Sequence, residues 1–393
     1  MQRHRIATLI GLVLGALAPV WAQDLTITNA RIIGPNAGVI ERGSIVVRGG
    51  KIVSVAPGKP SATSGRILDA KGMTAMPGFI DGHKHINTGP NEKAEMQALL
   101  EAGYTTILSG GGPAEGNITL RDHIDKGLIN GPRIIPSGAL FQLGNLTPEA
   151  ARAEIRKMAG MGVKFTGEIV LKPIPGPTAK EIENLRAVLD EGKKAGVMIQ
   201  VHAVSSAAMV AAVDAGVKLL VHLPNKDWVS KEDAKKVAAA GAKVLGTASF
   251  GTPVFGVFAN DNKPRFRDGK PWPGGIIDGV RLGEEAGYMP VNARTVWDAG
   301  VILGYCTDTS YDPKAGLDHE LKLLNVMFSM QDLIKMMGPN TASYIQMADQ
   351  LGTLEPGKLA DIILLDGNPL EGYWNWLKTK VVVKGGMVVV DKR

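Results

Sequence analysis

Pro77-Gly78-Phe79-Ile80-Asp81-Gly82-His83-Lys84-His85 decides how the rest of the chain is read. An apolar run leads into two histidines separated by one residue. In extended chain alternate side chains share a face, so His83 and His85 point together and Lys84 points away from them. Two imidazoles so placed can grip one metal ion. Such a pair means little alone and much if other donors arrive at the same place.

The chain outside this stretch supplies a fold in which they would. Strand-like apolar runs lie at 74–80, 105–108, 133–136, 163–169, 197–201, 218–221, 243–245 and 301–305. Helical patterns separate them at 92–102, 150–159, 179–195, 206–215 and 231–240. Strands alternating with helices in this number predict a closed parallel (β/α)₈ TIM barrel over residues 73–349. An open doubly wound sheet would carry a glycine-rich phosphate turn after its first strand. Gly110-Gly111-Gly112 follows the second strand without that spacing and reads as a flexible turn. Residues 23–72 and 350–393 have a different texture, with short β-rich runs broken by Gly-Pro and Gly-Gly turns. They predict a small β-sandwich built from both chain ends.

In a parallel barrel every strand's C-terminal end opens on one face. His202 follows the fifth strand, His222 the sixth, and Asp308 lies just past the eighth. Four histidines and one aspartate, distant in sequence, thus converge on one mouth. On the fourth strand Lys164 and Glu168 have the same parity, and Glu168 sits nearer the strand end. His123 lies on a polar helix and reads as surface. His319 precedes an apolar helical pattern and reads as a cap or a supporting residue. Ser109, Ser137 and Ser249 lack a nucleophile-elbow context. Cys306 is the only cysteine, which excludes an internal disulfide, and it reads as packing.

These motifs resemble the amidohydrolase superfamily over nearly the whole length after residue 22. "MPGFIDGHKH" is similar to its first-strand motif, "EAGYTTIL" to its second, and "GTLEPGKLADIILLDGNPL" to its return into the small β domain. The resemblance implies that His83 and His85 bind the more buried metal, that Asp308 completes that site, and that His202 and His222 bind a second metal. Many members bridge the metals with a carboxylated lysine, which here would be Lys164. "TGEIVLKP" resembles the enamidase and imidazolonepropionase-like branch, where a glutamate bridges, and implies Glu168 instead. Zinc suits so many imidazoles, with iron or manganese as alternatives.

The implied activity is hydrolysis of a C–N bond in an amide or cyclic amide. Metal-activated water is the nucleophile, and Asp308 takes its proton and delivers it to the leaving nitrogen. A lactonase or esterase, a dipeptidase, a deaminase, and a metal-free barrel acting as a binding protein are the alternatives.

The expected partner is a small molecule, and homo-oligomerisation is left open. The 393 residues carry a net charge of +6 spread over helical positions. No basic run interleaved with aromatics marks a nucleic-acid or membrane surface. Residues 1–22 begin basic, run apolar and end Val-Trp-Ala, the pattern of a cleaved secretory signal. They predict a periplasmic or secreted protein with no membrane attachment after cleavage. The stretch between Thr247 and Ala299 holds Phe250, Phe255, Phe258, Phe266, Trp272 and Tyr288 among prolines and glycines, and reads as a long binding loop.

Overall fold

The computed structural model describes residues 24–140, 143–249, 279–308 and 312–393. The signal-like segment and most of the aromatic stretch lie outside them.

Eight strands drawn from both ends form one sheet. They are β1 (Leu25–Ile33), β2 (Val39–Arg48), β3 (Lys51–Pro57), β4 (Arg66–Asp69), β5 (Thr74–Pro77) and, from the far end, Ile362–Leu365, Thr379–Lys384 and Met387–Asp391. The two ends meet where β5 pairs antiparallel with Ile362–Leu365 and parallel with β1. Alternate residues such as Leu25, Ile27, Ile45, Val47, Ile362, Leu364, Val381 and Val383 fill a shared apolar interior. Ile363, Leu365 and Val382, on the opposite face, join the larger apolar core, so these strands are buried on both faces.

The expected strand at 74–80 is two strands. β5 belongs to the terminal sheet and β6 (Phe79–Lys84) opens the barrel. Gly78 is the joint. A Cβ there would sit 2.3 Å from the Thr105 side chain, so the chain passes only because no side chain is present.

The barrel continues with β7 (Tyr104–Ser109), β8 (Arg133–Ile135), β9 (Ser137–Gly138), β10 (Phe165–Val170), β11 (Met198–His202), β12 (Leu219–Val221), β13 (Lys243–Gly246) and β14 (Ile302–Tyr305), all paired in parallel. The third barrel strand is split into β8, which pairs with β7, and β9, which pairs with β10. Pro136 lies between them and has no N–H to give a ladder. Ile80, Leu108, Phe165, Leu219, Val221, Leu245 and Cys306 pack together with Tyr344. Cys306 is fully buried, in keeping with a packing role.

Helices α1 (Glu92–Ala102), α2 (Ala114–Asp125), α3 (Pro148–Gly160), α4 (Ala179–Ala195), α5 (Ser206–Ala215), α6 (Lys231–Ala239), α7 (Gly279–Asp298) and α8 (Pro313–Leu324) accompany the strands. Thr147, Thr178, Ser205 and Ser230 cap α3 to α6 by accepting from main-chain N–H groups. α7 corrects the reading of a loop running to Ala299. Met289, Asn292, Ala293 and Val296 are buried at helical spacing, a stripe that the surrounding Gly and Pro obscured. Tyr288 on α7 packs its ring 4.5 Å from that of Trp228. The rest of the aromatic reading falls outside the described residues. No helix among the described residues is long and apolar enough to cross a membrane.

Barrel and terminal sheet are joined by charge as well as packing. Arg133 on β8 donates to Asp361 Oδ2 and to Thr106 Oγ1, both at 2.7 Å, and Asp361 Oδ1 accepts from the Gly385 amide at 2.7 Å. The Asp361 side chain is 4% exposed, against 26% for Arg133. Asp361→Ala leaves the cation without its carboxylate. We expect a loss of about 1–2 kcal/mol in urea unfolding, less than for a fully buried pair because Arg133 keeps solvent and the Thr106 hydroxyl.

Candidate metal centre

The ends of β6, β10, β11, β12 and β14 bring the predicted donors together. His83, His85, Glu168 and Asp308 form one group and Glu168, His202 and His222 a second, with donor atoms within 4.8 Å of one another in each. Glu168 belongs to both. Its Oε1 lies 3.4 Å from His83 Nε2, 2.9 Å from His202 Nδ1 and 2.5 Å from His222 Nε2. Asp308 Oδ1 lies 3.3 Å from His83 Nε2 and 3.0 Å from His85 Nε2. His83, His222, Glu168 and Asp308 are buried, whereas the side chains of His85 and His202 are 39% and 23% exposed.

Lys164 does not join them. It is exposed and stands ahead of the first residue of β10. At about 3.3 Å of rise per residue it lies about 13 Å along the chain from Glu168. Parity alone had placed the two on one face. Position along the strand separates them, which favours Glu168 over the alternative Lys164.

The electrostatics follow from crowding. Burial pulls His83 down, yet contact with the Asp308 and Glu168 carboxylates outweighs it and raises the imidazole to about 9. Burial raises Glu168, but its histidine neighbours, His202 first, hold it well below the usual carboxylate range. Asp308 is likewise held low by His83 and His85 against the effect of burial. His222 is lowered, because burial wins over its contact with Glu168.

Two of these residues sit in unusual backbone. His222 has φ 71° and Asp308 φ 53°, in the left-handed region that favours glycine. Such conformations cost on the order of 1–3 kcal/mol and collect at functional sites. They turn each side chain inward just where its strand ends.

Several supporting residues were not among the candidates the sequence offered. Asp81 accepts from the amides of His83 and Thr307, both at 3.1 Å, and from the Thr307 hydroxyl at 2.6 Å. It staples the first barrel strand to the chain before Asp308. Lys84 points away from the histidines as expected, but into the protein, with Nζ 3.5 Å from Thr307 Oγ1. Thr247 Oγ1 lies 2.8 Å from His222 Nδ1. Gly110 is no mere flexible turn. A Cβ on it would lie 2.8 Å from His83 Nε2 and 3.1 Å from each adjacent ring carbon, so it packs over the face of that imidazole. A glycine run directly after a strand in a chain with His-x-His was the available signal.

His123 is partly exposed and hydrogen-bonds Glu92 at 2.7 Å on the outside of the barrel. His319 lies within α8 rather than ahead of it, and Asp312 caps that helix instead.

The fit to a metal rests on buried donor atoms that crowd together without aligned hydrogen bonds. Both ring nitrogens of His83 and Oδ1 of Asp308 are buried with no aligned hydrogen bond among the described residues. Buried polar atoms are normally satisfied. A nitrogen and oxygen donor set around such atoms suits a divalent cation.

The amidohydrolase family profile matches residues 74–389. The chain belongs to the amidohydrolase family. An imidazolonepropionase of Caldanaerobacter subterraneus subsp. tengcongensis is 23% identical, over 89% of this chain and 91% of that protein. One from Geobacillus kaustophilus is 26% identical, over 90% and 91% respectively. A solved Xaa-Pro dipeptidase with bound methionine superposes with a TM-score of 0.76 over 93% of this chain and 100% of that one, at 20% identity, and shares the fold. This amidohydrolase is therefore a metal-dependent hydrolase of C–N bonds, as its motifs implied.

The raised His83 sets a pH dependence in protein stripped of metal. Its folded pKa of about 9 exceeds the ordinary 6.5, so its stabilisation is complete below 6.5 and is lost as pH rises through 9. His222 acts in the opposite sense, losing stability as pH falls below 6.5. Urea unfolding of the stripped protein should show stability declining from pH 6.5 to 9. His83→Asn should flatten that alkaline limb, and an equal slope in the variant would show that His83 is not its source.

Proposed function

We propose that this amidohydrolase opens a cyclic amide, with His83, His85, Glu168 and Asp308 holding one divalent metal and Glu168, His202 and His222 a second. The observation that carries the reading is the gathering of these six side chains around buried donor atoms of His83 and Asp308 that make no aligned hydrogen bond among the described residues. Zinc is the proposed metal. A cyclic amide is favoured because the sequence relatives' name contains imidazolone, itself such a ring.

A bound divalent metal would lower the pKa of water toward neutrality and polarise the carbonyl under attack. The protein's own groups do the rest. Asp308, held ionised beside His83 and His85, takes a proton from the attacking water and passes it to the departing nitrogen. Glu168 sits between the two groups of histidines and ties them together. His85 and His202, the more exposed of the set, stand on the side from which substrate enters. Export through cleavage after Ala22 remains part of the proposal on the strength of residues 1–22, and N-terminal sequencing of the exported protein tests it.

Asp308→Asn keeps the shape and suits the left-handed backbone, since Asn tolerates that region. We expect a loss of about 10²–10⁴ in kcat, the usual worth of a positioned acid–base group, with the fold intact by circular dichroism. Near-normal turnover would remove Asp308 from that role. Metal analysis discriminates the ligands. Glu168→Gln should lose metal while Lys164→Ala keeps the wild-type content. A screen of lactams, N-acyl compounds and lactones then tests the substrate class, and faster cleavage of lactones would favour an esterase.

A further inference from the structure

We propose that Glu320 is a positioning residue of the metal centre: by gripping the chain just beyond β13, it holds Thr247 where the threonine hydroxyl fixes the ring of His222. This rests on the reading of His222 as a metal ligand.

Glu320 lies on α8, after the last barrel strand, and is fully buried. Both its carboxylate oxygens are engaged. Oε1 accepts from the Ala248 amide, and Oε2 accepts from the Ser249 amide at 2.9 Å and the Ser249 hydroxyl at 2.7 Å. Thr247 is the next residue back, fully buried, with Oγ1 2.8 Å from His222 Nδ1. The path runs carboxylate, main chain of 248–249, Thr247 hydroxyl, imidazole.

Each link has a physical reason. His222 sits past the end of β12 in left-handed backbone, so strand geometry does not set its ring. An imidazole presenting Nε2 to a metal carries its proton on Nδ1, and the acceptor of that proton sets tautomer and orientation. The Thr247 oxygen is that acceptor. Nε2 then points at Glu168 Oε1, 2.5 Å away. The anchor of Thr247 must accept from consecutive main-chain amides and a hydroxyl together. A carboxylate does this and an apolar side chain of equal size does not. Burial pushes Glu320 up to about 7 in spite of these donors. A carboxylate in so unfavourable a place adds little as packing, since apolar replacements of buried charge are often neutral or stabilising.

The test uses the full-length protein, stripped of metal and titrated with cobalt(II), followed by absorption and by metal analysis. Wild type should take up two ions per chain. Glu320→Gln keeps the volume but turns one acceptor oxygen into a donor. It should retain one ion at near wild-type affinity and bind the second about 10–100-fold more weakly, the range for partners behind a ligand. Thr247→Val should reproduce that loss. The double variant should be no worse than the weaker single one, because both act through one ring. Ser249→Ala, a milder change, should weaken the second ion in the same direction.

Unchanged cobalt affinities in Glu320→Gln, with or without a lowered melting temperature, overturn the proposal. Losses that multiply in the double variant overturn it too, since Glu320 would then act by another route. If Glu320→Gln does not fold, an unchanged second ion in Ser249→Ala overturns it. A wild-type protein that takes up no cobalt sinks the metal reading itself, a separate result.

Discussion

The amide of Asp308 donates to the carbonyl of His83 at 2.9 Å, and the rest of the site depends on that bond. It closes the barrel between the ends of its first and last strands. Asp81 reinforces it by accepting from the amides of both His83 and Thr307. Residues 225 positions apart thereby share one rim, and every other donor is placed by the strands running between them. A parallel barrel requires such closure because an open edge would leave main-chain groups without partners. Here the closing contact and the chemistry use the same two residues.

Bringing two carboxylates and four imidazoles into a largely buried space sets charge against desolvation. Glu168 resolves much of this by touching both groups of histidines, which is why its proton is so weakly held. His83 is driven the other way by the same neighbours. A bound divalent cation would offset the charge of the two carboxylates in place of that proton. The surrounding residues keep the donors in place. Asp81 and Gly110 border His83, and Thr247 borders His222.

The barrel and the donors were legible because both are periodic or positional. Strand-helix alternation marks the barrel, and the first residues beyond a strand mark its mouth, so His202, His222 and Asp308 could be found one by one. His83 and His85 followed from parity. Parity was a poor guide for Lys164, because the register of β10 against β11 shifts between Phe165 and Glu168 and faces do not simply alternate there. The strand at 74–80 read as one because Gly78 interrupts geometry without interrupting the apolar pattern. α7 was hidden by Gly and Pro, and its apolar stripe emerges only once a partner surface is known. Asp81, Thr247 and Glu320 were illegible for a different reason. Each acts through a hydrogen bond to main chain or to a distant side chain, and such bonds leave no spacing in the sequence.

The left-handed turns at His222 and Asp308 place this protein's durability in tension with its activity. Backbone preference at both positions is for glycine, while the chemistry demands a nitrogen or an oxygen donor there. Selection for heat resistance alone would drift toward the smaller residue at these two points and erase the enzyme. A thermostabilising campaign on this scaffold therefore has to freeze 222 and 308 first and look for its gains elsewhere.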